Sequence, residues 1–217
     1  AQPAQGWTSW YHYYRNIATD TILKNLRAFE QHQIPIQIFQ IDDGFQKSVG
    51  EWTQTNARFP QGMKAIADSI HSKKIKAGLW LAPYIAEKKS ALYATHKDWL
   101  LKNDKGNIIK AGYNPLWSGR YYPLDIYNKE VLQYLKNTFD TVLNMQGYDM
   151  VKLDFLFAAC INPPADKTRG EVMFDAMLLL RQWCGEKYIL GCGVPLGTAF
   201  HLVDYCRISS DIHMKWE

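Results

Sequence analysis

Long apolar runs are missing from this chain. The longest stretch, Ala77 to Ala86, is interrupted by Gly78 and Pro83 and falls well short of the roughly 18 to 20 apolar residues that cross a bilayer. No membrane partner is expected. Cysteine is scarce as well: Cys160, Cys184, Cys192 and Cys206 form no CxxC pair, and no histidine stands at zinc-finger spacing from them. Neither a metal site nor a cofactor is therefore expected. All four lie in apolar segments, the pattern of buried free thiols in a reducing compartment, which favours a cytoplasmic protein. The stretch after Ala1 lacks a basic region followed by an apolar run, although a cleaved signal or a secreted form stays compatible with it. One-sided charge is also absent. The 25 Lys and Arg stand against 21 Asp and Glu, a net +4 scattered along the chain, so no basic stripe points to a nucleic acid partner.

Apolar residues make up 47 % and charged residues 21 % of the 217, ordinary globular usage for one domain with a full core. Aromatic residues are abundant at 14 %, with eight Trp and thirteen Tyr, and several adjoin carboxylates. Aromatic faces beside acids suit sugars; core packing is the competing explanation.

Short β-rich runs alternate with segments of helical period. Strands are expected at Gln5 to Tyr11, Ile36 to Ile41, Ile75 to Pro83, Asp149 to Phe155, Tyr188 to Cys192 and Tyr205 to Ser209, with a short extended stretch at Tyr121 to Ile126. Helices are expected at Asp20 to Gln31, Gly62 to Lys73, Ser90 to Lys102, Asn128 to Met145 and Glu171 to Trp183, leaving Asn103 to Ser118 as the long irregular loop. Strand-then-helix order predicts parallel strands covered by helices, either a doubly wound sheet or a (β/α)8 barrel. No GxGxxG or GxxxxGK[ST] follows any strand, whereas acids or aromatics end nearly all of them, the arrangement of a barrel.

The acids at those strand ends carry the chemistry. Glycoside hydrolysis needs two carboxyl groups flanking the scissile bond. Asp154 follows the apolar run Val151-Lys152-Leu153 and is expected beside the Lys152 ammonium as a nucleophile; capping of the next helix is the competing role. Asp211 follows Arg207-Ile208-Ser209-Ser210, and service as proton donor calls for burial against apolar neighbours; helix capping is an equal alternative. The adjacent pair Asp42 and Asp43 ends another strand, where two acids are costly unless something binds them. Vicinal sugar hydroxyls fit, with Mg2+ or Ca2+ as the rival.

Six segments in order, Gly6-Trp7-Thr8-Ser9-Trp10, Ile41-Asp42-Asp43-Gly44-Phe45, Gly78-Leu79-Trp80, Val151-Lys152-Leu153-Asp154, Gly191-Cys192-Gly193 and Arg207-Ile208-Ser209-Ser210-Asp211, resemble the retaining α-galactosidases of the melibiase type over nearly the whole chain. The resemblance implies a (β/α)8 catalytic barrel over residues 1–217 that removes terminal α-galactose from oligosaccharides with net retention. It implies Asp154 as nucleophile, Asp211 as acid/base, Asp42 and Asp43 on the galactose 4- and 6-hydroxyls, Lys152 on the 3- and 4-hydroxyls, and Arg207 near the 2-hydroxyl. Trp10 and Trp80 match pocket aromatics, Cys192 a small group near C2, and Arg120 a less well-spaced substrate arginine. The family barrel continues past the equivalent of Asp211, so closing strands and flanking β-sandwich domains are expected outside these residues. An α-N-acetylgalactosaminidase, an α-galactosyl transferase and a catalytically silent sugar-binding barrel remain as alternatives, and a homo-oligomer is compatible with the sequence.

Overall fold

A computed structural model describes residues 3–211. β1 (Gly6–Thr8) runs into a helical turn, α1 (Trp10–Tyr13), followed by α2 (Thr19–Gln31), β2 (Ile38–Ile41), α3 (Gly62–His71) and β3 (Lys76–Leu81). Next come β4 (Ile85–Glu87), α4 (Ala91–Thr95), β5 (Gly112–Asn114) and β6 (Gly119–Pro123). The chain continues through α5 (Lys129–Asp140), β7 (Met150–Leu153), α6 (Arg169–Cys184), β8 (Tyr188–Gly191), α7 (Leu196–Ala199) and β9 (Tyr205–Cys206).

Among the described residues the main sheet has the order β1-β2-β3-β7-β8-β9, with every neighbouring pair parallel. Helices cover its outer face. Ile22 and Leu26 of α2, Met63, Ile66, Ala67 and Ile70 of α3, and Val172, Met173, Ala176, Met177 and Leu180 of α6 are all buried. Because parallel strands are covered on both faces, β2 and β7 are buried at every position. The sheet is curled rather than open. The indole of Trp10, just beyond one edge strand, donates to the carboxylate of Asp211, just beyond the other, at 3.1 Å. This is the parallel sheet of a (β/α) barrel, with side chains two residues apart projecting into its interior.

Four expectations need correction. The first strand stops at Thr8 instead of Tyr11, because the Ser9 hydroxyl turns inward to accept the Asp42 amide at 2.9 Å and the chain coils at once into α1. The helix expected from Ser90 to Lys102 is only one turn and a half: the Ser90 hydroxyl caps α4, a 3-10 turn Lys97–Trp99 follows, and His96 stacks on Trp99 at 3.9 Å. Asn103 to Ser118 is not simply irregular, since it contains β5. That strand pairs antiparallel with β6, which pairs with β4, making a small three-stranded sheet between β3 and β7 that breaks the strand-helix alternation. The longest irregular stretch is instead residues 42–61, between β2 and α3.

Candidate active site

The inward rows of the sheet place the polar groups. In the register, Gln40 lies beside Gly78 and Gly78 beside Met150, while one layer higher Trp80 lies beside Lys152. Asp42 and Asp154 continue the same alternation past the ends of β2 and β7. The result is a cleft of about 330 Å³ at the C-terminal ends of the strands, and Trp10, Asp42, Asp43, Trp80, Lys152, Asp154, Arg207 and Asp211 all line it.

Asp42 is buried, 2 % exposed. Its Oδ2 accepts from Lys152 Nζ at 2.7 Å and Gln40 Nε2 at 2.9 Å, and its Oδ1 accepts the Asp43 amide at 2.9 Å. Burial alone would lower the Lys152 pKa, but the charge and hydrogen bond of Asp42 more than offset it, so the pKa is raised and Lys152 stays an ammonium. Removing either partner would strand a buried charge, a loss of about 3–5 kcal/mol. The Asp154 charge adds to the rise in the Lys152 pKa, as expected of neighbours in one cleft, but the lysine's hydrogen bond goes to Asp42. From the same strand face, the lysine reaches across β3 to Asp42 at the end of β2, and Asp154 takes other hydrogen-bond partners.

Those partners are the Trp80 indole N–H, 3.3 Å from Asp154 Oδ2, and the Phe155 amide, 2.8 Å from Oδ1. Phe155 has φ +54°, a left-handed conformation that is uncommon for a bulky residue. It ends β7 sharply and turns its ring toward Trp117, 5.0 Å away, and Tyr121, 5.4 Å away. Trp80 is 2 % exposed and wedged edge-on against Trp52 at 5.6 Å, so it offers its N–H edge rather than a broad face.

Asp43 is likewise 2 % exposed. Gln46 Nε2 donates to Oδ1 at 2.6 Å, Trp117 Nε1 donates to Oδ2 at 2.7 Å, and Arg15 Nε forms an ion pair at 3.3 Å. Burial raises its pKa, with the Arg15 charge and the Trp117 and Gln46 bonds opposing. The turn after it needs glycine: Gly44 has φ +125°, and a Cβ there would meet the Arg15 carbonyl at 2.7 Å.

Asp211 pairs with Arg207, besides the Trp10 bond, and its side chain is 46 % exposed. The apolar enclosure expected for a proton donor is not what surrounds it among the described residues; a guanidinium is. Cys192 is fully buried just before Gly193, which lines the cleft, so its thiol lies beneath the cleft surface. Burial, reinforced by the Asp154 charge, pushes that thiol up to about 12. Arg120 is exposed on β6 and lies outside the cleft lining. Among the described residues no three His, Cys, Asp or Glu side chains gather as a metal site would require.

Sequence reasoning missed Trp117, with its neighbours Asn114 and Leu116, and also Phe155 and Phe157, all of which line the cleft. Trp117 stands in the tight turn between β5 and β6, and it reaches Asp43 because Gly112 leaves room for the Tyr121 ring beneath. A Cβ on Gly112 would fall 2.3 Å from the Tyr121 hydroxyl, and Tyr121 in turn packs on Trp117 at 5.2 Å. The available signal was a tryptophan set between Asn-Pro and Ser-Gly.

A curled parallel sheet with carboxylates, an ammonium and indoles converging beyond its strand ends defines a β/α barrel with a polar, aromatic-walled cleft. The chain belongs to the melibiase family, whose family model matches residues 6–179, a span that includes Asp42, Asp43, Trp80, Lys152 and Asp154. It is similar to the solved structure of TtGalA, an alpha-galactosidase from Thermus thermophilus in complex with stachyose, at 37 % identity and TM-score 0.89 over 99 % of this chain and 45 % of that one. Alpha-galactosidase 1 of Pediococcus pentosaceus is 29 % identical over 58 % of this chain and 17 % of its own length. Alpha-xylosidase XylQ of Lactiplantibacillus pentosus is 31 % identical over 63 % of this chain and 18 % of its own. The chain thus spans less than half the length of these relatives.

Proposed function

We propose that this chain carries the catalytic cleft of a retaining glycoside hydrolase acting on terminal α-galactosides. Asp154 is the nucleophile and Asp211 the acid/base. The observation that carries the reading is the meeting of Asp154 and Asp211 in one cleft with a buried Asp42–Lys152 pair and Asp43 on its wall. These groups can accept from and donate to sugar hydroxyls by charge-assisted hydrogen bonds. The names of the α-galactosidase relatives support the substrate class.

In the first step a carboxylate oxygen of Asp154 forms a bond to the anomeric carbon while the bond to the leaving oxygen breaks, and Asp211 supplies the proton that oxygen needs. In the second, Asp211 takes a proton from water, whose oxygen displaces Asp154. Phe155 and Trp80 hold the nucleophile through the two N–H donors described above, which fixes its line of approach. The two carboxyl groups are expected about 5 to 5.5 Å apart when a galactoside is bound, the separation of retaining enzymes.

The α-xylosidase relative gives a specific second reading, that the sugar lacks the C6 hydroxymethyl group. A panel of nitrophenyl α-glycosides separates the two. The galactoside is expected to have the highest kcat/KM, and faster turnover of the xyloside or the N-acetylgalactosaminide would displace it. Asp154→Ala is expected to abolish nearly all turnover while circular dichroism stays unchanged. Near-normal hydrolysis by that variant would remove Asp154 from its role.

A further inference from the structure

Glu87, at the end of β4, is a charged side chain only 5 % exposed that takes no part in lining the cleft. Each of its carboxylate oxygens accepts a backbone N–H from a different loop. Oε1 takes Val49 N at 2.9 Å and Oε2 takes Ser118 N at 2.6 Å. The Glu87 amide returns a bond to the Val49 carbonyl at 3.0 Å, and the Ser118 hydroxyl accepts the Lys89 amide at 3.1 Å. These two loops supply the side-chain hydrogen bonds to Asp43, beside its ion pair with Arg15. Three residues before Val49, Gln46 grips Asp43 Oδ1, and immediately before Ser118, Trp117 grips Oδ2.

We propose that Glu87 is a positioning residue: by binding both loops through one carboxylate it sets the distance between Gln46 and Trp117, and so fixes Asp43 against the substrate. A carboxylate is the side chain that fits, since it offers acceptors on both oxygens. A glutamine would turn an N–H2 donor toward one of the two backbone donors and leave that donor unsatisfied inside the protein. The part of the inference that concerns substrate rests on Asp43 being a sugar-binding group, as proposed above. The coupling of the two loops does not.

The test is a cycle of Glu87→Gln and Trp117→Phe in the complete natural polypeptide, read both by amide hydrogen exchange and by steady-state kinetics on nitrophenyl α-galactoside. Exchange at Val49 and Ser118 is expected to be slow in the unaltered protein, and at least one of the two is expected to accelerate in Glu87→Gln. KM is expected to rise about tenfold in Glu87→Gln, the worth of about one hydrogen bond to a charged group, with a much smaller change in kcat. The double variant is expected to cost less than the product of the two single effects, because part of the Glu87 effect is exerted through the indole that Trp117→Phe removes. Unchanged exchange, unchanged KM, or effects that multiply would overturn the proposal. If Glu87→Gln does not fold, Glu87→Asp, one methylene too short to reach both loops, takes its place in the cycle. Surface-like exchange of Ser118 in the unaltered protein contradicts the coupling by itself. Absence of α-galactoside turnover in the unaltered protein would strike at the functional reading instead, with the exchange results still deciding the coupling.

Discussion

Single residues divide the labour within the cleft by what surrounds them. Asp42 accepts from Lys152 and Gln40 on one oxygen and from the Asp43 amide on the other, Asp43 is gripped by Gln46 and Trp117, and Asp154 is held by the Trp80 indole and its neighbouring amide. Asp211 stands apart, half-exposed and paired with Arg207. A group that must release a proton to a leaving oxygen and recover one from water benefits from access to solvent. If that is its task, Asp211→Ala should slow the first step severely on an alkyl α-galactoside, by about a hundredfold or more. A nitrophenyl leaving group needs little protonation, so its first step should stay near the unaltered rate in stopped-flow measurements. Equal damage to both substrates would count against Asp211 as the acid.

At the scale of elements, the helices were legible from their apolar positions, but their caps were less so. α6 was expected from Glu171, and the structure begins it at Arg169 behind a Thr168 cap. The Thr168 hydroxyl accepts the Glu171 amide at 3.2 Å and the Glu171 carboxylate accepts the Thr168 amide at 2.7 Å, a reciprocal cap. Thr168→Ala should lower stability by about 1 kcal/mol, seen as a lower urea midpoint at constant slope, with KM unaltered; a changed KM would mean that α6 reaches the cleft. The strands of the main sheet were legible for a related reason, since β2 and β7 are apolar runs bounded by acids. The β4-β6-β5 sheet was not. Its strands are three to five residues long, two begin with glycine and one of those ends in proline, and what holds them is contact far away in sequence, such as Glu87 to Ser118 and Tyr121 to Phe155. The same long-range dependence hid Trp117, whose meaning comes from Asp43, 74 positions away. Lys152 was recognised as a site residue near Asp154, but its ion pair with Asp42 was not legible, because spacing within one strand reveals the shared face and not which strand end lies opposite.

For the whole molecule, the curl of one parallel sheet is what turns separate strand ends into a cleft. Trp10 and Asp211 lie 201 positions apart and meet only because β1 and β9 bend toward each other. The aromatic abundance divides along the same architecture. Trp10 and Trp117 face the cleft, Trp80 gives it an N–H edge, and Trp52 packs fully behind them. On this account the barrel brings a nucleophile to an anomeric carbon, so the most direct test is to trap the bond it forms. An activated fluorinated galactoside that glycosylates the protein faster than it is released, followed by proteolysis and peptide mass measurement, should leave one galactosyl adduct, on the peptide and residue Asp154. An adduct on another residue, or turnover without any adduct and with β-galactose as the first product, would contradict the account.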